Sequence, residues 1–338
     1  MSAADPQIFT LGDFELESGR VLHDARIVFQ THGTLDADGS NAILYPTWFM
    51  GTHSDNEWLI GQGRPLDPLR YFIVVPNILG NGLSTSPSNA VSTDSGADFP
   101  LITVRDQVRA QRELVRSLGI ARLQAVIGWS LAACQAFQWA VSFPELVERI
   151  MPFCGSARTS EHNHVFLDGV AAAIRADGAF ADGRYSEQPL KGLAAAGTVY
   201  AGWGFSQTFY RQHLYRELGF ATRDAFVSDF WVQMFTAGRD ANDILSMIAT
   251  WKSADIGMTP GIDGGTEAAL GAITARSVVL SAEQDLYFCV DDEIIETAFI
   301  PGCDFRVIPG VWGHSAGVGA HAPDTAFIDA ALADLLAS

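Results

Sequence analysis

Lysine is almost absent from this sequence: Lys191 and Lys252 are the only two, and every other fixed cation is an arginine. With a formal net charge of -18 over 338 residues, no basic face is left to hold a phosphate backbone, which argues against a nucleic-acid partner. Cysteine is scarce as well. The four, at positions 134, 154, 289 and 303, lack Cys-x-x-Cys spacing and read as buried thiols. No stretch reaches the roughly 18 consecutive apolar residues of a bilayer span, and Met1 to Gly19 has no basic segment followed by an apolar run. The expectation is a soluble, cytoplasmic protein with no membrane partner. His162 and His164 have no third ligand at a useful spacing and read as surface histidines, so neither a metal nor a dissociable cofactor is implied.

What the chain does have is apolar periodicity along its whole length, with 48% of residues hydrophobic, which excludes a disordered or fibrous chain. Ile8 to Leu16, Arg26 to Thr31 and Asn41 to Pro46 read as strands between Gly, Asp and Ser turns, together an opening meander. From Tyr71 the pattern changes to alternating buried strand and amphipathic helix. Thr103 and Asp106 have capping-box spacing, and Val104, Val108, Gln111, Val115 and Leu118 recur at helical intervals up to Gly119. Strands at Leu123 to Gly128 and Arg149 to Cys154 then bracket an Ala-rich helix from Leu131 to about Ser142. Strand, helix, strand without hairpin turns predicts parallel pairing, hence an α/β fold with a mostly parallel central sheet flanked by helices. Between about Gly155 and Gly271 helical, aromatic-rich sequence replaces the alternation. Strands return at Ser277 to Ser281 and Asp304 to Ile308, and Pro323 to Leu335 reads as a closing helix. The predicted organisation is a core of residues 1–154 and 272–338 with an inserted helical cap at 155–271.

Strand, then Gly128-Trp129-Ser130-Leu131-Ala132, then helix, is the context of a nucleophile elbow, where a serine sits on a sharp turn with its hydroxyl above the sheet. Ala132 stands where a second glycine is usual. A serine hydroxyl needs a neutral imidazole to take its proton and a carboxylate to fix the imidazole's tautomer, and both appear after later strands in the required order. Asp285 follows the strand at Ser277 to Ser281, and His314 follows the strand at Asp304 to Ile308. Glu283, Asp291 and Asp292 are weaker candidates for the acid, the last two as a helix N-terminus; His23 and His321 are weaker bases. Oxyanion donors are expected from the backbone of Leu131 and of Phe49, with Met50 the competitor in the loop Pro46 to His53. His53 lines the entrance or bonds within that loop. Trp48, Trp129, Trp203, Phe205 and Tyr210 are the expected walls of an apolar pocket, most other cap aromatics serving to hold the cap on the sheet.

With these residues in hand, the chain resembles the homoserine O-acetyltransferase-like branch of the α/β-hydrolase superfamily over nearly its full length. The likeness is carried by Gln30-Thr-His-Gly33, by the stretch from Pro76 to Pro87, by the elbow, by Asp285-Leu-Tyr-Phe288 and by Gly313-His314. It implies a cap inserted after the strand that follows the elbow helix, in a branch whose members often pair as homodimers through that cap. Two departures bear on activity. The true acetyltransferases typically carry Gly-Gly-Ser-Met-Gly-Gly where this chain has Gly128-Trp-Ser-Leu-Ala-Ala133, and they place a carboxylate-clamping arginine where this chain has Gly197. Arg211 is the nearby substitute. The expected activity is therefore hydrolysis of a small neutral carboxylic ester through acyl-Ser130. The alternative is acyl transfer from acyl-CoA to an alcohol by the same triad, and a binding protein with a silent site is the rival of a different class.

Overall fold

The structure is a computed structural model and describes residues 6–337. Strands β1 (Gln7–Glu15), β2 (Val21–His32), β3 (Ala42–Leu44), β4 (Phe72–Pro76), β5 (Leu123–Trp129), β6 (Arg149–Phe153), β7 (Arg276–Ala282) and β8 (Asp304–Ile308) form one sheet in the order β1-β2-β4-β3-β5-β6-β7-β8. The β1–β2 and β2–β4 pairs are antiparallel and all the others parallel. The opening is thus not the meander expected. β3 leaves β2 and inserts between β4 and β5, because its three residues are buried on both faces, as an interior parallel strand requires. Alternate residues feed two apolar layers: Ile43, Ile73, Val75 and Ile127 face the cap side, while Leu44, Val74, Val126 and Ile150 face the other.

Helix α1 (Val104–Ser117) starts at the expected capping box: Asp106 N–H donates to Thr103 Oγ1 at 3.0 Å, and Thr103 N–H to the Asp106 carboxylate at 3.2 Å. α2 (Leu131–Ser142), packed against the sheet, is buried from Leu131 to Val141. Between β6 and β7 come α3 (Glu161–Arg175), α4 (Leu190–Ala201), α5 (Gln207–Arg211), α6 (Arg223–Phe226), α7 (Gln233–Thr236), α8 (Ala241–Lys252) and α9 (Gly265–Gly271), with a π-helical turn, Val227–Val232, joining α6 to α7. α10 (Val290–Thr297) follows β7, and α11 (Ala322–Leu336) closes the chain. Among the described residues no helix is long and apolar enough to cross a membrane.

A buried chain of amides ties α1 and α2 to the loop after β3. Trp139 Nε1 donates to Gln111 Oε1 at 2.8 Å, Gln111 Nε2 to Gln135 Oε1 at 2.6 Å, and Gln135 Nε2 to the Thr47 carbonyl at 3.0 Å. Thr47 Oγ1 in turn accepts from Ile78 N–H at 3.0 Å. The loop that turns over the elbow is therefore fixed from beneath. Replacing Gln135 by Leu strands the Thr47 carbonyl and the Gln111 amide in an apolar core. The expected loss is about 2–3 kcal/mol of unfolding free energy. Urea denaturation measures it, and a loss under roughly 0.5 kcal/mol, within the range of an inert surface change, contradicts the bracing role.

Candidate active site

β5 runs straight into α2 through Ser130, whose backbone is held at φ 59°, ψ -128°, a region non-glycine residues avoid. The turn is tight enough to dictate its neighbours. A Cβ on Gly128 lies 2.1 Å from the Ala132 carbonyl oxygen, and one on Gly155 lies 2.4 Å from the Ala133 methyl and 2.6 Å from the Ser130 carbonyl oxygen. Ala132 itself is accommodated, fully buried. Ser130 Oγ reaches His314 Nε2 at 2.9 Å, and His314 Nδ1 reaches Asp285 Oδ2 at 2.8 Å. The other carboxylate oxygen of Asp285 accepts from the Tyr287 and Phe288 amides at 2.8 and 3.2 Å. With Nδ1–H committed to Asp285, Nε2 is left as the acceptor for the serine proton. All three residues are buried.

The imidazole is enclosed by rings. The Trp129 indole stacks on it at 4.6 Å between centroids, Tyr287 meets it edge-on at 4.6 Å, and Phe288 lies at 5.5 Å. Trp129 Nε1 also donates to the His314 carbonyl at 3.2 Å. That contact depends on Gly317, where a Cβ falls 2.1 Å from the indole. The cap adds its own ties to the histidine loop: the Gly204 carbonyl accepts from Ser315 N–H at 3.1 Å and from Ser315 Oγ at 2.8 Å, and Ser206 Oγ donates to the Val311 carbonyl. Burial pushes the Tyr200 and Tyr287 phenols well above their usual range, so both stay uncharged beside the site.

Trp48 to Gly51 form a turn closed by Gly51 N–H donating to the Trp48 carbonyl at 2.9 Å, with Met50 at φ 62° in its third position. That is a type II turn, whose central peptide is flipped relative to type I. Met50 N–H is directed to the Met247 thioether at 3.3 Å and is thus engaged within the protein. Asn81 Nδ2 holds the Gly51 carbonyl at 3.1 Å. His53 does not line the site: its backbone N–H and ring nitrogen are both engaged by Asn77, each at 3.0 Å. His23 is paired with Asp94 at 3.0 Å and His321 stacks on Trp312, both away from Ser130. His162 packs on Trp203, and among the described residues no group of three His, Cys, Asp or Glu is placed to hold a metal.

Above Ser130 lies a cavity of about 300 Å³. Of the expected walls, Trp48, Trp129 and Phe205 line it; Trp203 and Tyr210 do not. Trp203 turns into the aromatic packing of His162, Phe166 and Tyr287. The Tyr210 hydroxyl is drawn to the Ala201 carbonyl, and its ring borders a separate surface hollow with His213 and Thr222. Their places are taken by Tyr200 from α4, by Phe230 and Trp231 from the π-helical turn, and by Leu218, Met234 and Val318. Asp55 stands exposed at the mouth, and no lysine or arginine is among the lining residues.

A family model described as the alpha/beta hydrolase fold matches residues 43–316. The ethyl acetate hydrolase of Pseudomonas veronii is 37% identical over 336 residues, covering 98% of this chain and 95% of that protein. The homoserine O-acetyltransferase of Chlorobaculum tepidum is 34% identical over 319 residues, covering 89% and 87%. A solved acetyl esterase superposes with a TM-score of 0.95 at 36% identity, covering 99% of this chain and 98% of that one.

The indole of Trp129 both walls the cavity and grips the histidine loop, and the two roles separate in Trp129→Phe, which keeps an aromatic face and deletes the N–H. Losing one hydrogen bond that orients the base is expected to lower kcat roughly fivefold to tenfold with KM changed less than about twofold. Steady-state kinetics on a neutral short ester reads the split; a change confined to KM assigns Trp129 to substrate contact alone.

Proposed function

The chain belongs to the α/β-hydrolase fold family and is a carboxylic ester hydrolase, and we propose that it cleaves small neutral esters, acetates foremost, through an acyl-Ser130 intermediate. Ser130 Oγ adds to the ester carbonyl carbon as its proton passes to His314 Nε2, and Asp285 stabilises the imidazolium through Nδ1–H. The oxyanion is received by Phe49 N–H and Leu131 N–H. The imidazolium then protonates the departing alkoxide. Water enters, gives its proton to His314 and attacks the acyl carbon, and the acid leaves as Ser130 is restored.

The observation that carries the choice of substrate is the lining of the cavity: aromatic and aliphatic walls with no cation. An anionic acyl acceptor desolvated there has no bidentate partner, a deficit of roughly 2–5 kcal/mol. Nor is there room for one at Gly197, where a Cβ meets the Trp231 carbonyl oxygen at 2.8 Å. Arg211 is exposed and borders a different hollow with Glu283 and Gln284. Acyl transfer to homoserine is thereby disfavoured. The names of the relatives, ethyl acetate hydrolase and acetyl esterase, agree with a short acyl group.

Kinetics of ethyl acetate hydrolysis tests the mechanism: Ser130→Ala is expected to lower kcat by about 10⁴-fold or more and to abolish fluorophosphonate labelling. Hydrolysis that survives this substitution removes Ser130 as nucleophile, and efficient acetyl transfer from acetyl-CoA to homoserine with negligible hydrolysis reverses the assignment. Pairing through the cap belongs to the same proposal, supported by the exposed Val165, Leu190 and Val199 on α3 and α4. Sedimentation equilibrium is expected to give twice the chain mass; a monomer at micromolar concentration refutes it.

A further inference from the structure

Ester hydrolysis by this triad places a positive charge on one ring twice in each turnover. His314 becomes an imidazolium when Ser130 Oγ adds to the ester carbonyl carbon: the O–H electron pair forms the new O–C bond and the proton passes to Nε2. It does so again when water attacks the acyl carbon. Asp285 meets that charge in the plane of the ring, through Nδ1–H at 2.8 Å. A charge formed among rings and away from water calls for a partner on its faces as well.

The indole of Trp129 covers one of those faces. The two centroids are 4.6 Å apart and the planes lie 28° from parallel, well inside the ~6 Å over which a π face attracts a cation, with tryptophan the strongest of the aromatic side chains. Tyr287 instead crosses the imidazole at 86°, and Phe288 stands off at 5.5 Å. Trp129 alone of the three combines close approach with a stacked face.

Three contacts hold the indole there before substrate arrives. Its Nε1–H donates to the His314 carbonyl at 3.2 Å, Trp48 meets it at 4.5 Å and 80°, and Gly317 makes room, since a Cβ there falls 2.1 Å from the ring. Trp129 and His314 are 6% and 4% exposed, so solvent screens the attraction little.

The attraction depends on where the proton is. A neutral imidazole gains from the indole what any stacked pair gains, whereas an imidazolium gains the pull of the ring quadrupole in addition. That surplus exists only while Nε2 carries the serine or water proton, so it lowers the chemical barriers without tightening substrate binding. We propose that the indole face of Trp129 stabilises the His314 imidazolium in both acylation and deacylation, a role distinct from the hydrogen bond by which the same side chain holds the histidine loop. The inference rests on the hydrolase mechanism proposed above.

Fluorination separates the two roles, because it drains the π face while keeping the shape of the ring and making N–H the better donor. Monofluoro-, trifluoro- and tetrafluorotryptophan are introduced at position 129 alone, in a chain with eight tryptophans, and compared by stopped-flow acylation with p-nitrophenyl acetate, which reads the chemical step itself. The maximal acylation rate constant is expected to fall with each added fluorine, to about a tenth with tetrafluorotryptophan, while the half-saturating ester concentration changes less than about twofold. Where the more heavily fluorinated rings lower the melting temperature, the monofluoro variant, altered by a single atom, decides the matter with an expected fall of roughly twofold. A rate constant that is unchanged or raised along the series, or an effect confined to the half-saturating concentration, overturns the proposal. Failure of the underlying mechanism looks different: no acylation in the unsubstituted chain, or acylation that survives Ser130→Ala.

Discussion

A serine forced to φ 59° between a parallel strand and a buried helix is the constraint to which the rest of this molecule answers. The conformation costs of order 1–3 kcal/mol and persists only where surroundings over-determine it. Here they do so from every side: Gly128 and Gly155 give up their Cβ atoms to it, Phe153 receives the Ser130 amide at 3.1 Å, and α2 is buried along nearly its whole length. Strain stored in the turn keeps the hydroxyl clear of the sheet and aims it at His314. The imidazole is then oriented by a carboxylate that is itself oriented by two amides.

The same logic extends outward to the loop over the elbow. Gln135 braces Thr47 from the elbow helix and Asn81 braces Gly51 from the segment after β4. A type II turn between these braces sends the Met50 amide to the Met247 thioether.

The order of Ser130, Asp285 and His314 was legible because each follows a readable strand, two of them apolar runs and the third the alternating Asp304–Ile308, and strand ends on one sheet edge converge. The turn at Phe49 and Met50 was not legible. It depends on a left-handed φ at a methionine, where no glycine or asparagine announces it. Nor was the sheet order at its start, since pairing of β3 with β5 depends on contacts some 80 residues apart. In the cap, residues two apart part company: Phe205 faces the cavity while Trp203 faces His162. Which aromatic looks inward there is decided by helix packing and by a π-helical turn that itself carries Phe230 and Trp231. Helical periodicity read from sequence has no access to either.

The hydrogen bonds from Ser315 to Gly204, together with that from Ser206 to Val311, have a kinematic corollary. They rivet the covering segment between α4 and α5 to the very loop that bears His314. Were that segment to swing away about the seam, it would carry the imidazole with it and break its contact with Ser130 Oγ. Displacement of the covering and loss of the serine–imidazole pair are thereby mechanically one event.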